Sequence, residues 1–596
     1  MRQLRNLFLL AVAGLGSAMA HAAPANLAWV EINGAPLEQP SPMAWLEGPD
    51  AAPTLRDIVQ AIDSAAMRSR FDGLVLRLRE PELTATQVQE IGAALTRLRA
   101  TGKKVHMFTE IYGPSETALA SYVDDAVMQE GGALSLPGIY MEEMFLADTL
   151  AWAGAKADFV QIGDYKGAAE ALMNSKPSPE WDQNISGLLD GLYGVMRRQI
   201  EEGRGLTPEQ LDKAMSEAWW ASGQQAIDLG LIDGEMDRLD FDVMLEGIYG
   251  DDYTTDPDLI GGGDGGLDMT NPFMLFEQLV APQLRVPTRS TIAVLHIDGA
   301  IVDGESAPGG LMGESSVGSL TIREALVEIE DSPLIKGLVV RIDSPGGSAI
   351  ASESIWQGIR RIAETRPVWV SVGSMAASGG YYIAVAGDKI YVNPSSIVGS
   401  IGVVGGKVAL GGVYEKLKVH VTPRARGPQA GIMSSLETWN GEQRALVRMR
   451  MQETYDLFTR RVTAGRPGID LGKTAEGRLF EGERAIDLKM ADAIGGLDET
   501  IKGLAGAVGL REGAYDTMDY PAPKTLGELL EEAMGRFGMG ASAPASASAG
   551  ASAFAAAAQE VVGPRAWPAL RDAATALMQL REEPVILVSP RVLLFK

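Results

Sequence analysis

The chain of 596 residues contains no cysteine, which removes disulfides, a thiolate nucleophile and any metal site built on sulfur. Histidine is almost as scarce. His21, His106, His296 and His420 are scattered, and no acid–histidine pair in a catalytic context is visible. His106 and His296 fall inside apolar, strand-like runs, where a hydrogen-bonded structural histidine is expected. Basic residues are outnumbered, 52 Lys and Arg against 78 Asp and Glu, for a net charge of −26. Such a surface disfavours nucleic acid and anionic lipid as partners. The apolar run near the start, Leu7 to Leu15, is short of the roughly 20 residues that a membrane-spanning helix needs.

What is present begins with an address. Arg2 and Arg5 precede that apolar run, and Ala18-Met19-Ala20 and Ala20-His21-Ala22 follow it as small-residue cleavage patterns. Residues 1–22 therefore read as an export signal or a short membrane anchor, and the bulk of the chain is expected outside the cytoplasm. A chain of this length implies two or more domains.

The chain is one unit written twice. Trp29-Val30-Glu31-Ile32-Asn33-Gly34-Ala35 returns as Val294-Leu295-His296-Ile297-Asp298-Gly299-Ala300, and Gly73-Leu74-Val75-Leu76-Arg77-Leu78 as Gly337-Leu338-Val339-Val340-Arg341-Ile342. Asp125 matches Asp388, and Ala226-Ile227-Asp228-Leu229 returns as Ala485-Ile486-Asp487-Leu488. Four matches in one order indicate tandem copies of about 230 residues, set at 24–255 and 289–520. In each copy, strand-like runs alternate with helical ones: helices are expected over Thr54–Ser69, Thr84–Ala100, Thr321–Ser332 and Ala351–Thr365. This alternation predicts an α/β fold of stacked βαβ units on a largely parallel sheet. Asp251–Ser290, with six residues Gly261-Gly262-Gly263-Asp264-Gly265-Gly266, reads as a linker, its core at 256–288. A segment from 521 to 596 changes character, being Ala/Ser/Gly-rich over 541–558, then a short helical stretch (Trp567–Arg581) and an apolar end (Pro584–Phe595) suited to docking on a partner or on the body.

The copies act as internal controls, because positions where they differ mark what one copy does in addition. In the second, an apolar strand runs into Met375-Ala376-Ala377-Ser378-Gly379-Gly380 and then a helical stretch, which sets a hydroxyl where free N–H groups favour negative charge. The first copy has Ser115 there, but Glu116-Thr117 replace the glycines and Pro114 replaces Ala377. Ser344-Pro345-Gly346-Gly347 likewise has Arg79-Glu80-Pro81-Glu82 as its counterpart. The two glycine turns of the second copy could supply a nucleophile, Ser378, and oxyanion donors from Gly346 or Gly347 with Gly379. A serine needs a base, and a lysine made neutral by burial can serve. Lys166, in Gly163-Asp164-Tyr165-Lys166-Gly167, has no lysine counterpart in Arg424-Ala425-Arg426-Gly427-Pro428-Gln429. One copy keeps the serine apparatus and the other keeps a lysine.

On these motifs, together with Gly399-Ser400-Ile401-Gly402-Val403 and Glu170 after Tyr165-Lys166, the chain resembles the long form of signal peptide peptidase A (protease IV), over about residues 27 to 500. That resemblance implies two tandem crotonase-like (Clp protease-like) domains, Ser378 as nucleophile, Lys166 as general base, and Ser400 near the lysine amine to orient it. It implies no metal and no cofactor. It further implies cleaved signal peptides and other unfolded peptides as substrates, a homo-oligomer with a homotetramer expected, and membrane association at the periplasmic face of the cell envelope. Related Gly-Gly and Ala-Ser turns occur in Clp protease and enoyl-CoA hydratase relatives, so fold alone does not decide the reaction. A crotonase-type acyl-thioester enzyme and a catalytically silent envelope scaffold are the rival readings.

Overall fold

Several helices start where a side chain answers their free N–H groups. Thr54 accepts from Asp57 N while Asp57 accepts from Thr54 N, opening the helix Leu55–Met67; Thr84 and Gln87 repeat the device for Ala85–Ala100. From Leu55–Met67 the residues Leu55, Ile58, Val59 and Ile62 are buried, one face at helical spacing. The second copy forms matching helices at Ser319–Asp331 and Ala349–Ala363. In the computed structural model the described residues are 24–40, 52–257, 259, 286–307, 315–522 and the strand 585–588.

The first copy contributes strands β1 (Asn26–Asn33), β2 (Gly73–Arg79), β3 (Lys104–Tyr112), β4 (Asp125–Leu134), β5 (Lys156–Ile162), β6 (Ala221–Ser222), β7 (Gly234–Met236) and β8 (Thr254–Asp256). The second contributes β9 (Thr291–Asp298), β10 (Ala300–Val302), β11 (Ser316–Gly318), β12 (Ile335–Ser344), β13 (Gly346–Ser348), β14 (Val368–Ala377), β15 (Lys389–Val392), β16 (Ile397–Gly399), β17 (Val403–Ala409), β18 (Leu479–Glu481), β19 (Ala493–Ile494) and β20 (Asp516–Tyr520). Last comes β21 (Val585–Val588).

The sheets repeat as the sequence does. One runs β6-β4-β3-β2-β1-β8 and another β18-β16-β14-β12-β9-β20, with parallel central pairs in register, such as Val75 with Trp29 and Val339 with Val294. Strand β2 is buried at every position but its last, as expected when helices cover both faces. The fold is thus mixed α/β, the same largely parallel sheet, with an antiparallel edge strand, occurring twice. Each copy has its own core, one around Val30, Leu76 and Ile91, the other around Leu295, Val340 and Ile359. Strand β8 extends the first sheet beside β1, so the chain between the copies leaves the first fold only after Asp256.

A third sheet, β11-β10-β13-β21-β17-β5, joins the copies. In it, β5 of the first pairs antiparallel with β17 of the second from Ile162 opposite Val403 to Lys156 opposite Ala409. Part of the apolar end lies on the body, because β21 enters this sheet. The signal or anchor of residues 1–22, the glycine run and the helical stretch Trp567–Arg581 lie outside the described residues. No helix among the described residues is long and apolar enough to cross a membrane.

Candidate active site

Strand β14 ends at Ala377, and Ser378 turns sharply, with φ 53° and ψ −111°, into the helix Gly379–Ala384. That conformation is strained for a residue with a Cβ. It is held by Ser378 N donating to Gly399 O at 2.8 Å and by Tyr382 N donating to Ser378 O at 2.8 Å. Upstream, Asp343 accepts from Ser374 N at 2.9 Å and Met375 N at 3.2 Å. Burial, and next the charge of Glu38, push the Asp343 carboxyl up to about 7.

Lys166 follows β5 across the short turn Gly163-Asp164-Tyr165 and is wholly buried. Its Nζ lies 2.7 Å from Ser378 Oγ, 2.8 Å from Ser400 Oγ and 2.9 Å from Ser400 O. Ser378 and Ser400 are buried too. Among the described residues no carboxylate pairs with the amine. Burial alone holds its pKa well below the usual lysine value, since a low-dielectric site disfavours the cation.

The glycine turns converge on the same place. A Cβ on Gly379 would sit 3.2 Å from both Gly346 Cα and Gly347 N, so the turn after the serine abuts the turn after β12. Gly347, at φ 154°, admits no side chain, because a Cβ there would run into the Ile301 carbonyl. The Gly346 N–H points elsewhere, donating to Ser344 Oγ at 3.2 Å, while Ser344 donates to Gly299 O. Of the expected oxyanion donors, Gly347 N abuts the Gly379 turn, while the Gly346 N–H is tied within its own turn.

The first copy's serine turn is closed off. Ser115 Oγ donates to Glu116 Oε2 at 3.0 Å, and Gly113 N donates to the same oxygen at 2.9 Å. His106 lies 2.9 Å from the Tyr249 hydroxyl and His296 lies 2.9 Å from Asp519, both in strand positions and away from the serine. Among the described residues there is no cluster of ligating side chains suited to a metal ion.

Two contributors were not apparent from the sequence. Gly477 N donates to Ile401 O, and a Cβ on Gly477 would lie 2.5 Å from Lys166 N, at φ 91°. Arg478 stacks on the Tyr165 ring, 3.8 Å from its centroid, and Tyr165 N donates to Glu476 O. A loop of the second copy thereby clamps the lysine turn of the first. Gly477→Ala is expected to displace Lys166 and lower kcat at least about 10-fold, in line with the sensitivity of such sites to ångström misplacement. Steady-state kinetics beside a thermal melt would separate this effect from loss of folding. The clamp had no local signal: Gly477 is 311 positions from Lys166 and carries no motif.

Comparison with known proteins agrees with this geometry. The profile of peptidase family S49 matches residues 97–240 and 360–511, once in each copy. Protease 4 of Haemophilus influenzae is 27% identical over 459 residues, covering 75% of this chain and 71% of the relative. The chloroplastic serine protease SPPA of Arabidopsis thaliana is 27% identical over 465 residues, covering 73% of this chain and 63% of the relative. A putative protease of Synechocystis is 30% identical over 243 residues, covering 40% of this chain and 83% of that shorter relative. With two copies of the S49 fold and relatives that are proteases, the chain belongs to peptidase family S49 and is a serine protease.

Proposed function

We propose that Ser378 and Lys166 form a catalytic dyad that hydrolyses peptide bonds through an acyl-enzyme. The observation that carries this is the 2.7 Å approach of Lys166 Nζ to Ser378 Oγ in a wholly buried site. A neutral amine has two N–H donors and one lone pair. Ser400 O and Ser400 Oγ, at 2.9 and 2.8 Å, can accept both donors, which leaves the lone pair for the Ser378 hydroxyl proton. Ser400 thus orients the base. As Ser378 Oγ attacks the carbonyl carbon, its proton passes to Lys166, and the N–H groups of Gly347 and Gly379, with the Gly346 turn behind them, receive the oxyanion. The protonated lysine then gives its proton to the leaving amine. Water, deprotonated by the same lysine, releases the acyl group and restores Ser378.

The proposed substrates are cleaved signal peptides and other unfolded peptides. We place the protein in the cell envelope, facing the periplasm and associated with the membrane, as a homo-oligomer with a homotetramer expected. No metal or cofactor enters the proposed reaction. The test is turnover of casein and of a fluorogenic peptide by the wild type, Ser378→Ala and Lys166→Ala. Both variants should fall to background. Wild-type rates in either would sink the dyad.

A further inference from the structure

We propose that Asp343 is a positioning residue for the nucleophile: its side chain fastens a bulge in β14 and so sets Ser378 and Ser400 within reach of Lys166. The proposal rests on the protease reading above and concerns how that site is assembled.

Strands β12 and β14 pair in parallel register from Leu338 opposite Val368 to Ile342 opposite Val372, and resume at Ser344 opposite Ala376. Asp343 alone therefore stands against Gly373, Ser374 and Met375, two residues more than the ladder has room for. Such a bulge leaves N–H groups without strand partners and re-aims the chain that follows. Here Asp343 supplies the partners, Oδ2 accepting from Ser374 N at 2.9 Å and Oδ1 from Met375 N at 3.2 Å. Gly373 makes room for this contact, since a Cβ there would lie 2.8 Å from Asp343 Oδ2. From the far side, Ser396 Oγ donates to Gly373 O at 2.7 Å, and Ser374 Oγ lies 3.0 Å from Thr86 Oγ1 of the first copy.

The bulge decides which strand β14 meets next. Before it, β14 pairs with β15 as far as Val372 opposite Val392. After it, β14 pairs with β16, from Met375 opposite Ile397 to Ala377 opposite Gly399. Ser378 N then donates to Gly399 O, and Ser400 is the next residue along. The register that Asp343 fixes thus carries both the nucleophile and the serine that orients the lysine. Asp343 also leads straight into Ser344-Pro345-Gly346-Gly347, anchored where Gly299 N donates to Asp343 O and Ser344 Oγ donates to Gly299 O. One residue ties the donor turn to the nucleophile strand. The first copy provides the contrast. Arg79 faces Asn33 there as Asp343 faces Asp298, and its side chain is exposed and pairs with Glu31.

The tie is sensitive to protonation. A carboxylate accepts at both oxygens, whereas a protonated carboxyl has turned one of them into a donor, so one of the two N–H groups loses its partner. Around the carboxyl stand Arg341 on its own strand, Asp298 on β9, and Glu38 and Glu90 of the first copy, both paired to Arg341. His296 on β9 is engaged by Asp519 of β20, and the bulge itself contributes no titratable side chain. Burial, and then the neighbouring acids, hold Asp343 at about 7.

Asp343→Ala should lower kcat at about pH 9 at least about tenfold, the cost of an ångström-scale misplacement, with KM changed less than about twofold. It should also quicken hydrogen exchange in a peptide spanning residues 373–378 while one spanning 338–342 stays protected. Asp343→Asn keeps one acceptor, should lose less in both readouts, and carries the test if the alanine variant does not fold. In the wild type, exchange of 373–378, corrected for its intrinsic pH dependence, should quicken as pH falls through about 7; in Asp343→Asn it should not. Wild-type kcat and exchange in Asp343→Ala overturn the proposal, as does a wild-type pH dependence of exchange in Asp343→Asn. Exchange in a Ser378→Ala background reads the bulge without turnover. The Asp343 effect present there, with no peptide hydrolysis by the wild type, would count against the protease reading and not against the role of Asp343.

Discussion

Lys166→Arg should abolish peptide hydrolysis, with kcat falling about 10³- to 10⁴-fold, the usual scale for loss of a general base. Arginine keeps the positive charge and approximate length, but its guanidinium is never deprotonated near neutral pH and cannot accept the serine proton. The wild type should show a rate that rises with pH through the depressed pKa of Lys166 and levels above it, because only the neutral amine is competent. The depression has one cause, burial without a carboxylate partner, so its sign for stability is fixed. Between the folded and unfolded pKa values the unfolded chain binds one more proton, and stability rises with pH across that window. The penalty is fullest below the folded pKa and vanishes as pH climbs past the unfolded one. Lys166→Met, which titrates nothing, should therefore be inactive yet more stable than the wild type at pH 7, with the gap closing toward pH 10. Denaturant melts at several pH values check this. A flat pH–rate profile from 6 to 9, or a residual rate in Lys166→Arg close to wild type, would exclude the lysine as base.

The meeting of Ser378 with Lys166 was legible in sequence because duplication wrote the unit twice and let only one copy keep each part. Ser378 stood out by its glycines against Ser115-Glu116-Thr117, and Lys166 by its missing counterpart. The α/β alternation was legible for a local reason: apolar period and capping residues such as Thr54 and Thr84 act within a few positions. The helix after Ser378 differs slightly from expectation, starting at Gly379 directly after the serine because the turn is completed by Ser378 itself. What stayed hidden depends on pairing between distant segments. Gly477 against Lys166 and β21 between β13 and β17 have no local pattern. Arg341 is the sharpest case. It repeats Arg77 in sequence, yet Arg77 pairs within its own copy to Glu110, whereas Arg341 reaches into the other copy.

Arg341→Met is expected to cost about 3–5 kcal/mol, the scale for removing one partner of a buried ionic cluster. Arg341 is 2% exposed and lies 2.9 Å from Glu38, 2.8 Å from Glu90 and 3.0 Å from Ser371 Oγ. Both carboxylates come from the first copy. Burial raises the Glu90 pKa, while for Glu38 burial also acts upward but Arg341, with His296 and Gln87, together outweigh it and leave the pKa lowered. Around them, Glu90 accepts from Asn393 Nδ2 at 2.9 Å and from Leu497 N at 3.1 Å, and Gln89 and Ser395 exchange two hydrogen bonds. The helix Ala85–Ala100 is thereby locked to the second copy through buried polar groups, which are costly to leave unmet. Without Arg341, two carboxylates would face each other in the interior. The melting midpoint should drop by roughly 10 °C, and acid should partly restore it. The sign follows from the partners: with the guanidinium present, the lowered Glu38 pKa gives stability above its unfolded value that is lost as pH falls through the folded one. In Arg341→Met the pKa of Glu38 is raised instead, so stability increases as pH falls. Adding Glu38→Gln and Glu90→Gln should recover a large part of the loss at neutral pH, since it removes the uncompensated charge. The catalytic readout separates this strut from ordinary core packing. Lys166 and Ser378 sit on different copies, so loosening the docked helix should lower kcat in Arg341→Met even at temperatures where the variant is fully folded. A triple variant that regains stability but not kcat would show that the charge cluster sets the register between the copies as well as holding them together; recovery of both would reduce its role to adhesion.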